Sequence, residues 1–183
     1  MKQFDRYMKG EMKYESDALA FGTLYDMLLF ERERAYDEYI ILDHDRVMDH
    51  LSDKARKAKN PKLTSEYKAQ VQLMKTEALE EGKTICSSDD WKMANEMIDR
   101  LDTCGLLQSH LSGKFQVEFN EMLHGVQVKG FLDCLGPDFI SDSKSSRSVE
   151  KFRYSVRDFC YDIQAYIYTE VFGIKNFYWV VQE

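Results

Sequence analysis

Proline is almost absent: two in 183 residues, Pro61 and Pro137, with nine glycines besides, so helices can run long over the first half. No Pro/Gly/Ser-rich linker, internal repeat or low-complexity segment divides the chain. Cysteine is sparse too. Cys86, Cys104, Cys134 and Cys160 stand far apart, without a CxxC pair or a Cys–His cluster, which excludes the common zinc spacings and gives no support to an iron–sulfur cluster. A disulfide framework would be unusual in a chain this long without a secretion signal, so buried free thiols are the plainer reading. No run of about 20 apolar residues exists to span a bilayer. The opening MKQFDRYMKGEMKYE alternates charges where a secretory leader needs an apolar run, and the expected location is the cytoplasm. Positive charge is in deficit: 25 Lys+Arg against 32 Asp+Glu leave a net −7, which excludes a uniformly basic coat for nucleic acid but not a focused basic groove.

What is present is globular: 44% hydrophobic and 31% charged residues, too apolar for disorder. The length suits one domain, with a helical part over 1–112 and a core over 113–183. Residues 17–31 place Leu19, Leu24, Met27 and Leu28 on one helical side, with Ser16 or Asp17 as cap. Further helices are expected over 45–59, 63–81 and 89–101, the last with Trp91, Ala94, Met97 and Ile98 inward, and a short one over 102–111. At Gly113 the period changes to alternation. Strands are expected over 115–119, 126–135 and 139–144, the last two joined by Gly136-Pro137-Asp138. A helix over 148–171, with Phe152, Val156, Phe159, Ile163 and Ile167 inward, and a strand over 176–182 complete a mixed α/β fold of helices on a small sheet.

The meander carries the chemistry. If Pro137 and Asp138 are the central turn residues, Gly136 pairs with Phe139, and Asp133 comes opposite Asp142. Opposed side chains lie about 4.5–5.5 Å apart at Cβ. The strand period returns Lys144 to the face of Asp142. Two carboxylates that close repel unless a cation sits between them. Oxygen ligands without cysteine or paired histidine suit Mg²⁺ or Mn²⁺, and a neighbouring lysine can serve a hydrolytic water and neutralise charge growing on phosphorus. A solvated hairpin with ordinary surface charges fits the same pattern. On the following helix Arg153, Arg157, Tyr161, Gln164 and Tyr168 recur at spacings of three and four, a stripe fit to hold phosphate and stack on bases, or simply a half-exposed boundary.

Gly130-Phe131-Leu132-Asp133, Asp142-Ser143-Lys144 and Gln164-Ala165-Tyr166-Ile167-Tyr168 together resemble the PD-(D/E)XK nuclease core with a QxxxY third motif. The chain is most similar to the RecE/RecB-type exonucleases of phages and bacteria, which are paired with single-strand annealing proteins. Ala20 to Leu29 resembles that group's N-terminal helix motif. The resemblance implies a restriction-endonuclease-like α/β fold, with Asp133 and Asp142 holding Mg²⁺ (Mn²⁺ substituting) and Glu118 as a further acidic ligand. It implies that Lys144 serves the water and that Gln164 and Tyr168 line the site. One departure stands out: Tyr25 occupies the position where the helix motif usually carries a metal-binding histidine, which implies fewer protein ligands or weakened activity. The resemblance also implies double-stranded DNA ends as substrate, a possible homo-oligomeric ring, and a bacterial or phage-infected host cell.

Lys54, Arg56 and Lys57, with Lys59 and Lys62, form a basic cluster that fits a strand-guiding loop and equally a solvated helix end. His44, His50, His110 and His124 fall in loops or helix ends. The expected activity is a Mg²⁺-dependent exonuclease digesting linear duplex DNA in recombination or repair. Two alternatives stand beside it: a non-catalytic nuclease-fold module that binds DNA or a recombination partner, and an endonuclease.

Overall fold

The computed structural model describes residues 16–183; the charged amino-terminal run MKQFDRYMKGEMKYE lies outside the described residues. Helix α1 (Asp17–Phe30) starts where Ser16 Oγ accepts the Leu19 N–H at 3.2 Å, satisfying one of the free donors of the first turn. Its buried side is Leu24, Tyr25 and Leu28, whereas Leu19 faces solvent. Helix α2 (Arg32–Glu38) leads into β1 (Tyr39–Leu42). The expected helix over 45–59 is instead two short pieces, α3 (His44–Asp49) and α4 (Asp53–Arg56). Ser52 breaks the run by turning its hydroxyl onto the Ala55 N–H, which caps a new helix rather than continuing the old one. After a 3₁₀ turn (Pro61–Leu63), α5 (Ser65–Glu80) is capped by Thr64.

Strand β2 (Thr84–Ser87) then pairs in parallel with β1, a two-stranded sheet that the sequence pattern does not announce. Each run is four residues long, too short for a period to be distinguished. Helix α6 (Ser88–Asp102), capped by Ser87, packs Ala94, Met97 and Ile98 against Leu24, Tyr25 and Leu28 of α1. Short α7 (Gly105–Ser109) precedes the main sheet.

That sheet is mixed, in the order β3 (Lys114–Leu123), β4 (Val126–Leu135), β5 (Phe139–Ser145), β6 (Asn176–Gln182). β3, β4 and β5 run antiparallel, and β6 lies parallel to β5 along its whole length. Gly136 N–H donates to Phe139 O at 2.9 Å, the turn register expected from Pro137-Asp138.

The helix expected over 148–171 is broken. Helix α8 (Phe152–Asp158) ends at Phe159, Cys160 adopts a left-handed φ of 56°, and α9 (Tyr161–Phe172) sets off in a new direction. The break carries Phe159 (67% exposed) and Ile163 (53%) outward, against the expectation that they point in. It also separates Arg153 and Arg157 from the stripe they would have shared with Tyr161, Gln164 and Tyr168. Helix α9 packs Ile167, Tyr168, Val171 and Phe172 onto Phe119, Leu132 and Ile140 of the sheet. Gly173, at φ 65°, ends it in the left-handed conformation that glycine tolerates. No described helix is long and apolar enough to cross a membrane.

Candidate active site

The site arises where two strands part. β4 and β5 are paired only at Leu135–Ile140 and Cys134–Ser141. One step further, where Asp133 would face Asp142 in the ladder, the strands separate. Part of the cause lies in β3. Gln116, opposite Asp133, has a left-handed φ of 49°, a strained conformation for a residue with a side chain. Phe115 accordingly meets the Phe30 ring of α1 at 5.4 Å in a tilted pair, while Val117, two residues on, packs with Leu132 on the α9 side. β3 thus changes face at Gln116, beside the place where the β4–β5 ladder ends.

Asp133 fills the opening. Its Oδ2 accepts the Ser143 N–H at 2.8 Å, so a carboxylate takes the backbone donor that a strand carbonyl would otherwise have taken. From β5 rise Asp142, 2% exposed, and Lys144, whose Nζ forms an ion pair with Asp142 Oδ2. Gln164 Nε2 donates to Asp142 Oδ1 at 3.0 Å and lies 3.2 Å from Tyr168 Oη, which donates to Phe131 O at 2.9 Å. Lys144 Nζ also lies 5.2 Å from the centre of the Tyr161 ring, a cation–π distance. Gly130 permits this packing: a Cβ there would stand 3.0 Å from the Phe119 ring and 3.5 Å from Tyr168 Oη.

Charge at the site is out of balance. Burial pushes the Asp133 carboxyl up to about 6, and the neighbouring Asp142 adds to the rise. Asp142 is raised by burial although Lys144 and Gln164 pull it down. Burial works against the Lys144 ammonium, but Asp142, Asp133 and Asp26 overcome it and hold the amine above its usual range, so it is a cation at neutral pH. A third carboxylate shares this field. Asp26 of α1, raised to about 8 by burial and then by Asp133 and Asp142, is not among the residues that the sequence motifs single out. A carboxylate set between the buried Leu24-Tyr25 pair and Leu28 of one helix is itself a signal, since Asp is rarely buried without a reason.

These residues fit a divalent ion. Asp142 Oδ2 is buried, and its one partner among the described residues is the Lys144 ammonium. Asp133 lies close enough to feel the Asp142 charge, and Mg²⁺ commonly needs only one or two carboxylates, completing its shell with water and phosphate. Among the described residues no three His, Cys, Asp or Glu side chains are gathered into a single ligand cluster.

Other residues named from the sequence lie elsewhere. Glu118 is exposed on β3, paired with Phe131 of β4. Arg153 is exposed on α8 and donates to Tyr154 Oη at 3.0 Å; Arg157 pairs with Asp158 at 3.0 Å. Lys54, Arg56 and Lys57 are exposed at α4, beside a separate small core of Val47, Leu51, Ala55 and Tyr67. Tyr25 is wholly buried, its phenol pushed up to about 12 by burial, with Gln182 Nε2 donating to its Oη and Ser143 Oγ 3.4 Å away.

The profile of a family described as a PDDEXK-like domain of unknown function (DUF3799) matches residues 2–177. The chain belongs to this PDDEXK-like family. Its fold is that of a PD-(D/E)XK core, a small mixed sheet flanked by helices. The crystal structure of a putative exonuclease from Eubacterium rectale is similar, with a TM-score of 0.56 at 20% identity. That likeness covers 96% of this chain, and the chain spans 57% of the length of that protein. No curated protein matches the sequence. Membership in the PDDEXK-like family places the fold in the PD-(D/E)XK nuclease superfamily.

Proposed function

We propose that the protein is a divalent-metal-dependent deoxyribonuclease, an exonuclease that digests linear duplex DNA from its ends in recombination or repair. The observation that carries the reading is the buried Asp142 carboxylate, clamped between Gln164 and Lys144 and facing Asp133 across the parted strands. Asp133 and Asp142 would hold Mg²⁺ or Mn²⁺. The chemistry such an ion supplies when bound is Lewis acidity toward a phosphoryl oxygen. Lys144, held as a cation by Asp142 and then Asp133, orients the attacking water and offsets negative charge growing on the phosphate. Gln164 fixes Asp142 through Oδ1, so an ion would share or take Oδ2 from Lys144, while Tyr168 ties Gln164 to the backbone of β4. Tyr161, and the exposed Arg153 and Arg157 of α8, would hold the DNA backbone. The basic residues of α4 are a more distant contact for the same strand.

The test is degradation of a linear duplex with Mg²⁺ by wild type, Asp142→Ala and Lys144→Ala, with circular duplex as a second substrate. Wild-type digestion confined to linear DNA, with both variants inactive, is the expected result. Equal digestion by all three proteins would eliminate this site, and cutting of the circle would make the enzyme an endonuclease. The buried Tyr25 at the family's histidine position favours one rival reading, a DNA-binding module without metal. Calorimetry with Mn²⁺ separates the two, because that rival binds DNA without binding the ion.

A further inference from the structure

A buried polar network behind the site has no part in the chemistry described so far. Tyr25 of α1 is 0% exposed, Ser143 of β5 1% and Gln182 of β6 7%. A buried hydroxyl needs partners, and each of these finds one in another: Gln182 Nε2 donates to Tyr25 Oη, and Ser143 Oγ donates to it at 3.4 Å. Three elements distant in sequence are thereby joined at one phenol oxygen. Ser143 is the connecting residue. Its side chain points toward Tyr25, while its main-chain N–H donates to Asp133 Oδ2 at 2.8 Å. Since the β4–β5 ladder has already ended at Cys134–Ser141, no strand hydrogen bond fixes β4 to β5 at this point. The Asp133 carboxylate is located against β5 by the Ser143 N–H; the Ser143 main chain runs in the β5–β6 ladder opposite Val180, and its side chain is tied to Tyr25, which Gln182 braces.

We infer that Tyr25 is a positioning residue: through Ser143, and braced by Gln182, its phenol sets where the Asp133 carboxylate stands. This inference rests on the proposed metal site, and it gives the tyrosine a task other than ligation. The hydroxyl acts at one remove, by holding the backbone donor that orients a metal-facing oxygen. Groups behind a metal ligand commonly change affinity or rate about 10–100-fold when removed.

The experiment uses the full chain as wild type, Tyr25→Phe, Ser143→Ala and Gln182→Met, with four readouts: thermal midpoint, exchange rate of the Ser143 amide by NMR, Mn²⁺ affinity by calorimetry, and kcat and KM on linear duplex. In Tyr25→Phe the Ser143 amide should exchange about tenfold faster or more, and Mn²⁺ should bind about 10–100-fold more weakly. The rate should fall in kcat, with KM for DNA unchanged. Ser143→Ala and Gln182→Met should move the same readouts in the same direction, and combining either with Tyr25→Phe should add little, as for residues acting as one unit. A folded Tyr25→Phe protein with wild-type amide exchange and Mn²⁺ affinity overturns the inference. If Tyr25→Phe does not fold, the same result from Gln182→Met overturns it. Wild type that neither binds Mn²⁺ nor cuts DNA removes the proposed function, and this inference with it. Wild type that does both, beside variants that match it, removes the inference alone.

Discussion

Replacing Lys144 with methionine is expected to lower the rate of DNA hydrolysis about 10²–10⁴-fold, the usual range for a lost catalytic proton or charge donor. Methionine keeps an apolar stem against the Tyr161 ring and removes only the charge that sits on Asp142 Oδ2. The cost to folding should be visible as well. Removing one partner of a buried ion pair typically costs about 3–5 kcal/mol, because the other charge stays behind without compensation. Here Asp142 can escape part of that cost by taking a proton, since burial has already raised its pKa. The loss of thermal stability should therefore be smaller at pH 5 than at pH 8. Adding Asp142→Asn to Lys144→Met should restore much of the stability, because the asparagine carbonyl can still accept from Gln164 and the charge that faced Lys144 is gone. Activity should not return. Melting curves and single-turnover rates on the three variants separate the two effects. Activity in the double variant would mean that hydrolysis occurs elsewhere.

Asp26→Asn should make the metal-free protein more stable at pH 8 and change it little at pH 4. The sign follows from proton binding. The Asp26 carboxyl has a pKa of about 8 in the folded chain, against an ordinary 3.8, so between these values the folded state holds a proton that the unfolded state has released. Wild-type stability is greatest below the lower value and declines as pH rises through the higher one. A tenfold difference in proton affinity between folded and unfolded chain is worth about 1.4 kcal/mol, so the whole decline amounts to several kcal/mol at most. Asp133, raised to about 6, contributes a similar decline that is complete earlier. The difference between Asp26→Asn and wild type should thus keep growing between pH 6 and pH 8, after the Asp133 contribution has levelled off. A divalent ion in the site should flatten this dependence, because it favours the ionised carboxylates. Thermal midpoints across that range, with and without Mg²⁺, provide the check. Parallel curves for Asp26→Asn and wild type would place Asp26 outside the field of the site.

The parts of the site that lie close together in sequence are legible there, and the parts assembled by distant elements are not. The turn Gly136-Pro137-Asp138 sets the β4–β5 register as far as Cys134–Ser141, so local rules bring Asp133 and Asp142 to the same end of the hairpin although the ladder stops one step short of them. The strand period alone brings Lys144 to the side of Asp142. Gln164 and Tyr168 lie on one face of a single helix, so their spacing is informative. The separation of β4 from β5 is a different matter, since it involves the left-handed Gln116, a conformation that nothing in KFQVEFN announces. The bend at Cys160 is equally hidden. An apolar period runs through it unbroken, and cysteine is not a residue that marks a left-handed turn, so the period puts Phe159 and Ile163 on the wrong side. Glu118 enters through a family pattern, and its exposed place on β3 reflects the path of a strand that changes face two residues earlier. Asp26 escapes the sequence motifs for the opposite reason: its significance depends on α1 lying against β5, a contact between segments more than a hundred residues apart.

A crystal of the protein soaked in Mn²⁺, with data collected for the anomalous signal of manganese, tests the metal site most directly. The expected result is a peak between the Asp133 and Asp142 carboxylates, with Asp142 Oδ2 turned toward it and Lys144 Nζ displaced from that oxygen. A peak elsewhere, or none at Mn²⁺ concentrations that support cleavage, would contradict the assignment of these two carboxylates as the ligands.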